Sequence, residues 1–166
     1  MKVFVYGANL QGIHGAGSAL AAVRHHGAVS GRTARVGASY GIPTKSDPWH
    51  TLPLKAIALH VRGFLEHASE HPGDEFDVVE IGCGLAGYTV EEIGPMFAEA
   101  TPNVHLPRSF VTALDAARYR WLRAQHWSDG GPCVVVGVKG NAALLGVDCP
   151  SGARLDAVVD GGMRRV

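Results

Sequence analysis

The order of apolar segments predicts an α/β protein, with helices packed on a sheet and a small C-terminal α/β appendage. Three observations carry that expectation. β-branched and aromatic runs alternate with segments of helical spacing. Glycine supplies 22 of the 166 residues, about twice the ordinary ~7% share, and gathers at 7–17, 27–41 and 82–87. Hydrophobic residues make up 46% and charged residues only 18%, which suits a chain that buries a core and argues against disorder.

Lys2–Tyr6 (KVFVY) is β-branched and aromatic and stops at Gly7, as a buried first strand does. Ser18–Arg24 is alanine-rich and reads as a helix, with Gly27 placed to end it. Ala34–Thr44 contains a strand ending in Tyr40-Gly41-Ile42-Pro43. Proline there fits a strand end and not a central ladder position. In Leu54–Ala68, residues Leu54, Ile57, Ala58, Val61, Leu65 and Ala68 recur at helical spacing. Thr51 stands ready to cap that helix and Pro72-Gly73 to terminate the region. Phe76–Ile81 (FDVVEI) is a strand broken by Gly82. Thr89-Val90-Glu91-Glu92 has the form of a capping box, and Pro95 interrupts the helix it opens. Asn103–Leu106 is a short strand. Where helices intervene, neighbouring strands should run parallel.

The character changes after Pro107. Leu114–Gln125 is helical, Cys133–Val138 (CVVVGV) is a strand, and Ser151–Met163 is a short helix with Leu155, Val158 and Val159 inward. Residues 1–110 are expected to form the ligand-binding domain. Residues 111–166 form an appendage too small for much independent stability.

Lys plus Arg (15) balance Asp plus Glu (15), so the chain lacks the global basic footprint of a nucleic-acid binder. Cys83, Cys133 and Cys149 make no CxxC pair, which fits a reducing cytoplasm and not a disulfide scaffold. No apolar stretch approaches a membrane span, no metal-ligand spacing is evident, and neither metal nor cofactor is expected. His25, His26, His67 and His71 lack a zincin-type companion and read as surface residues; His14 alone lies inside a glycine loop.

Three constellations point to chemistry. Gly7-Ala-Asn9-Leu-Gln-Gly-Ile-His14-Gly15-Ala16-Gly17 joins a strand to a helix, where α/β sheets bind ligands. Its glycines would let backbone N–H groups approach phosphate, and the helix offers its positive end; a tight structural loop is the alternative. The spacing is neither GxGxxG nor GxxxxGK[ST]. Gly82-Cys83-Gly84-Leu85-Ala86-Gly87-Tyr88 likewise follows a strand and precedes a capped helix, so the two loops suggest a shared phosphate cradle. In it, Tyr88 offers a ring for stacking or packs half-buried, and Cys83 is a small apolar filler in preference to a nucleophile. Tyr40-Gly41-Ile42-Pro43-Thr44-Lys45 brings Thr44 and Lys45 to a strand end. That lysine either pairs with phosphate, attacks an aldehyde-like anomeric carbon, or is simply solvated.

In this order the three pieces resemble the macrodomain superfamily, most closely the branch that removes terminal ADP-ribose from proteins or DNA. Its G-A-G loop matches Gly15-Ala16-Gly17, its strand ending in T-K matches Thr44-Lys45, and its I-G-C-G-L loop matches Ile81–Leu85. The fuller string, with I-P-T-K and G-C-G-L-A-G-Y, is similar to phage and bacterial macrodomain-like proteins. The likeness covers about residues 1–107. It implies a three-layer αβα fold and an ADP-ribose ligand, with Lys45 as nucleophile on the ribose C1″ through a Schiff-base-type intermediate. The implied substrate is ADP-ribosylated protein or nucleic acid. One departure stands out: the hydrolytic branch carries an acidic residue directly after G-C-G-L, and this chain has Ala86. Without general acid–base help, worth roughly a hundredfold or more, the rival expectation is a non-catalytic binder that sequesters an ADP-ribose-derived signalling nucleotide in phage–host conflict. Asp47 and Glu80 are the nearby carboxylates in sequence. In the appendage, the arginines of Arg118–Arg123 read as a solvated helix face in preference to a contact for an anionic partner.

Overall fold

The computed structural model describes residues 1–124 and 152–164. Two compact units divide the chain, Met1–Leu114 and Asp115–Val166. In the first, five strands form one mixed sheet: β1 (Lys2–Asn9), β2 (Ala34–Val36), β3 (Ser39–Lys45), β4 (Glu75–Val78) and β5 (Val104–His105), in spatial order β2-β3-β1-β4-β5. β1 runs parallel to β3 and β4, and β4 runs parallel to β5. β2 is antiparallel to β3.

The strand period of two explains the layers. Val3 and Val5 of β1 face a core shared with Ile57, Val61 and Phe64 of helix α2 (Leu54–Glu70). That core also takes Ile93 of α3 (Val90–Ile93) and Phe110 of α4 (Arg108–Ala124). The alternate residues Tyr6 and Ala8 face Ala19 and Ala22 of helix α1 (Gly17–His25). The result is a three-layer α/β fold. Small residues on α1 let it lie close to the sheet, while α2 fills its side with aromatic and branched chains. Phe64, fully buried against Tyr40, Phe76 and Phe97, is worth ~1.5–3 kcal/mol of transfer free energy in such a position.

Several expectations are refined. The single strand read at 34–44 is a hairpin: Gly37, at φ +55°, makes a two-residue turn between Val36 and Ser39. Pro43 lies inside β3, opposite Ala8 of β1, but β2 pairs only with Ser39–Gly41. Proline is therefore past the end of the neighbouring strand, where no donor is needed. Thr51 does not cap α2. Pro53 holds that position, and the Thr51 hydroxyl instead donates to the Ala86 carbonyl at 3.2 Å. The other end of α2 is held by Asn103, whose side-chain amide donates to the carbonyls of Ala68 (3.1 Å), His71 (3.1 Å) and Asp74 (3.0 Å). His67 is not a free surface residue. Its ring packs on Tyr40, Phe76 and His71, and burial pushes its pKa down. The capping box at Thr89 forms, and Pro95 converts the continuation of α3 into a 3₁₀ turn, Gly94–Phe97.

In the second unit, α5 (Ala153–Met163) buries Val159 and Asp160, while Val158 is exposed and Leu155 half-buried. Of the residues expected inward, Val159 is buried as read, and beside it Asp160 accepts a two-pronged pair from Arg118 at 2.9 and 2.6 Å. Arg118 is accordingly paired and not part of a solvated face. The strand expected at Cys133–Val138 lies outside the described residues.

Candidate functional site

Three loops leave the carboxyl ends of β1, β3 and β4, and a cavity of about 560 Å³ lies among them. The first loop is fixed by its own polar groups. The Asn9 side chain donates to the Ile13 carbonyl at 2.7 Å and accepts from the Ile13 N–H at 3.0 Å. Asn9 lines the cavity, but its amide is spent on shaping the loop. His14 is buried beneath the loop, its Nε2 within 3.3 Å of the Tyr6 hydroxyl and 3.1 Å of the Arg32 carbonyl. It anchors the loop and does not line the cavity.

Gly15, Ala16, Gly17 and Ser18 form the wall where α1 begins. Gly17 adopts φ +57°, a left-handed conformation that favours glycine. The cap residue Ala16 brings no side-chain acceptor, and no acidic residue sits in the first turn. The orphan N–H groups of the helix start, and the positive end of its dipole, therefore border the cavity without a carboxylate of their own.

The second loop supplies Gly82, Gly84, Leu85 and Ala86 to the wall. Gly82 is at φ +75°, and a Cβ there would meet Ile93 at 3.2 Å. Gly87, also left-handed, closes a turn onto Gly84 outside the lining. Tyr88 is outside the lining: it packs against the core, and its hydroxyl donates to the Leu52 carbonyl at 2.8 Å. Cys83 is outside the lining too. Burial, with the charges of Glu80, Glu91 and Glu92, pushes its thiol up to about 11, so it is protonated at neutral pH and a poor nucleophile.

From β3, Thr44 and Lys45 reach the cavity, whereas Tyr40 and Pro43 do not. Tyr40 points into the α2 core, against Phe64 and His67. The Lys45 amine donates to the carbonyls of Pro48 (2.7 Å) and Leu85 (3.3 Å), tying the third loop to the second. Asp47 is absent from the lining. Its carboxylate accepts the N–H groups of Trp49 (2.9 Å) and His50 (3.0 Å) as well as the His50 ring. These bonds hold its pKa down at about 2, led by the Trp49 N–H, and present Trp49 at 80% exposure.

Sequence reasoning placed the loops and missed parts of the wall: Ala8, Ile13, Ser18, Ala19, Pro48, Val79, Glu80 and Ile81. The last three were read as strand. β4 stops at Val78, and the chain curls so that the Ile81 N–H meets the Val79 carbonyl at 2.7 Å. This brings Glu80 into the lining, while its exposed carboxylate accepts at Oε1, at 2.6 Å, from the hydroxyl of Ser109, a residue outside the lining. Exposed apolar side chains stand on the same three loops, at Leu10, Ile13, Trp49 and Leu85. Among the described residues, no group of His, Cys, Asp and Glu is arranged to hold a metal, and no helix is long and apolar enough to cross a membrane. Comparison with protein-family models, curated proteins and solved structures found no match to this chain.

Proposed function

We propose that the cavity binds ADP-ribose or a related ADP-ribose-containing nucleotide. The observation that carries this reading is the bare start of α1. Its N–H groups border a glycine-walled cavity at the ends of parallel strands, with the Lys45 ammonium on the same wall. A pyrophosphate is the ligand group that such a set of donors suits. The cavity volume, about 560 Å³, falls within the ~300–1,000 Å³ range of small-molecule sites. The likeness of the three loops to the macrodomain branch that releases terminal ADP-ribose narrows the nucleotide class.

Binding is the first reading because the catalytic set is thin. Ala86 replaces the acid, Cys83 is a protonated thiol, and the Lys45 amine already serves two carbonyls. Release of ADP-ribose from a modified protein or nucleic acid is the second reading, favoured by the placement of Lys45 on the cavity wall. Calorimetric titration with ADP-ribose tests the first. Micromolar affinity supports it, and no heat at millimolar ligand removes it.

A further inference from the structure

We infer that Glu80 is a specificity-determining residue of the cavity. It accepts a hydrogen bond from a hydroxyl- or amine-bearing end of the ligand, while the anionic part lies toward Lys45 and the start of α1. The inference rests on the nucleotide reading above and says which way round such a ligand sits.

Lys45 and Glu80 are the charged residues of the cavity wall. They stand at the carboxyl ends of β3 and β4, with β1 between them. Two strand spacings put those strand axes roughly 10 Å apart. A ligand that spans the cavity therefore meets Lys45 at one side and Glu80 at the other. The Glu80 carboxylate, exposed at the surface, accepts from Ser109 through Oε1. An ionised carboxylate only accepts. It welcomes a ribose hydroxyl or an amino group and repels a phosphate.

The surroundings strengthen that polarity. Burial, and after it the negative charges of Glu80, Glu91 and Glu92, raise the Cys83 thiol, so the second glycine loop lies within the field of three carboxylates. A phosphate seated there would pay for that field, despite the resemblance of the loop to a phosphate loop. The start of α1, with no acidic residue in its first turn, carries no such penalty. The cradle is thus one-sided: anion at α1 and Lys45, uncharged donor at Glu80. A ligand with phosphate at both ends should be rejected, and one ending in an unphosphorylated sugar accepted.

The test is calorimetric titration of wild-type protein, Glu80→Ala and Glu80→Gln with ADP-ribose and with inorganic pyrophosphate, each variant first checked for a wild-type thermal melt. Glu80→Gln keeps the shape if the alanine variant folds poorly. The expected result is a loss of about tenfold to a hundredfold for ADP-ribose in Glu80→Ala, the usual worth of a hydrogen bond to a charged group, with a smaller loss in Glu80→Gln. Pyrophosphate affinity should stay level or rise. If wild type binds ADP-ribose and both variants bind it equally well, Glu80 is no reader and the nucleotide reading survives alone. Equal losses for both probes also overturn the inference. A wild type that binds neither probe removes the nucleotide reading and this inference with it.

Discussion

Replacing Gly17 by glutamate, with alanine as the control, separates backbone strain from charge in the proposed cradle. Gly17 has φ +57°, and a Cβ placed on it would meet Leu85 Cδ1 at 3.7 Å, an ordinary contact. There is room for a side chain. Both variants therefore pay the same left-handed backbone cost, ~1–2 kcal/mol of stability. What differs is a carboxylate at the wall where the phosphate is proposed to lie. For charges on the order of 5 Å apart, repulsion is about 0.8 kcal/mol in bulk water and about 3.3 kcal/mol at an effective dielectric of ~20. Those values correspond to roughly 4-fold and roughly 250-fold in affinity, and a cavity open on one side falls between them. Titration of ADP-ribose into both variants at 25 °C reads the ratio directly. Raising salt should shrink it, because a partly exposed pair is screened. If Gly17→Glu and Gly17→Ala melt alike and bind ADP-ribose alike, the anion does not lie at the start of α1.

Three further predictions concern side chains that tie loops and helix ends together. Lys45→Ala deletes the amine that joins the Pro48 and Leu85 carbonyls, and should weaken ADP-ribose binding about tenfold or more. It should also abolish any release of ADP-ribose from modified protein or DNA, and a fully active variant takes Lys45 out of that chemistry. Asn103→Ala leaves the carbonyls of Ala68, His71 and Asp74 without their shared donor, and should cost ~1–3 kcal/mol in urea unfolding. An unchanged midpoint would show that solvent replaces the amide freely. The Asp47 carboxyl is held at about 2, below its ordinary 3.8, so the ordering of residues 46–50 is present above the ordinary value and lost as pH falls through about 2. Below pH 5, Trp49 emission, isolated by difference from Trp49→Phe, should change toward pH 2, and a transition centred near 4 contradicts the hold on Asp47.

The layered fold was legible because its long elements repeat cleanly. Ile57, Val61, Leu65 and Ala68 mark one helical face, and all four are buried as that spacing requires. What escaped was decided by contacts distant in sequence. β2 spans three residues, too few to show a period, and exists because Gly37 folds it back onto β3. Thr51 has the right chemistry to cap α2, yet the Ala86 carbonyl, thirty-five residues away, takes its hydroxyl. Val158 and Val159 looked equally inward, yet Val159 is buried next to the paired Asp160 and Val158 is exposed.

The site divides along the same line. Glycine clusters after strands announce where backbone approaches a cavity, and Gly7, Gly15, Gly17, Gly82 and Gly84 all line it. Side chains near those glycines are another matter, because a residue type does not reveal which group it will satisfy. Asn9 turns back on its own loop, His14 goes under it, Tyr88 reaches Leu52, and Tyr40 follows the strand alternation into the α2 core. The same principle works in reverse at Glu80. A strict strand through Ile81 would assign Glu80 a place in the ladder; the early end of β4 at Val78 instead turns it to the cavity wall. An acidic residue thus lines the cavity although the position after Gly-Cys-Gly-Leu is alanine. Its proposed role, across β1 from Lys45, is to discriminate among ligands by their uncharged end. That is why the fate of Glu80→Gln says more about this cavity than the absence of an acid at position 86.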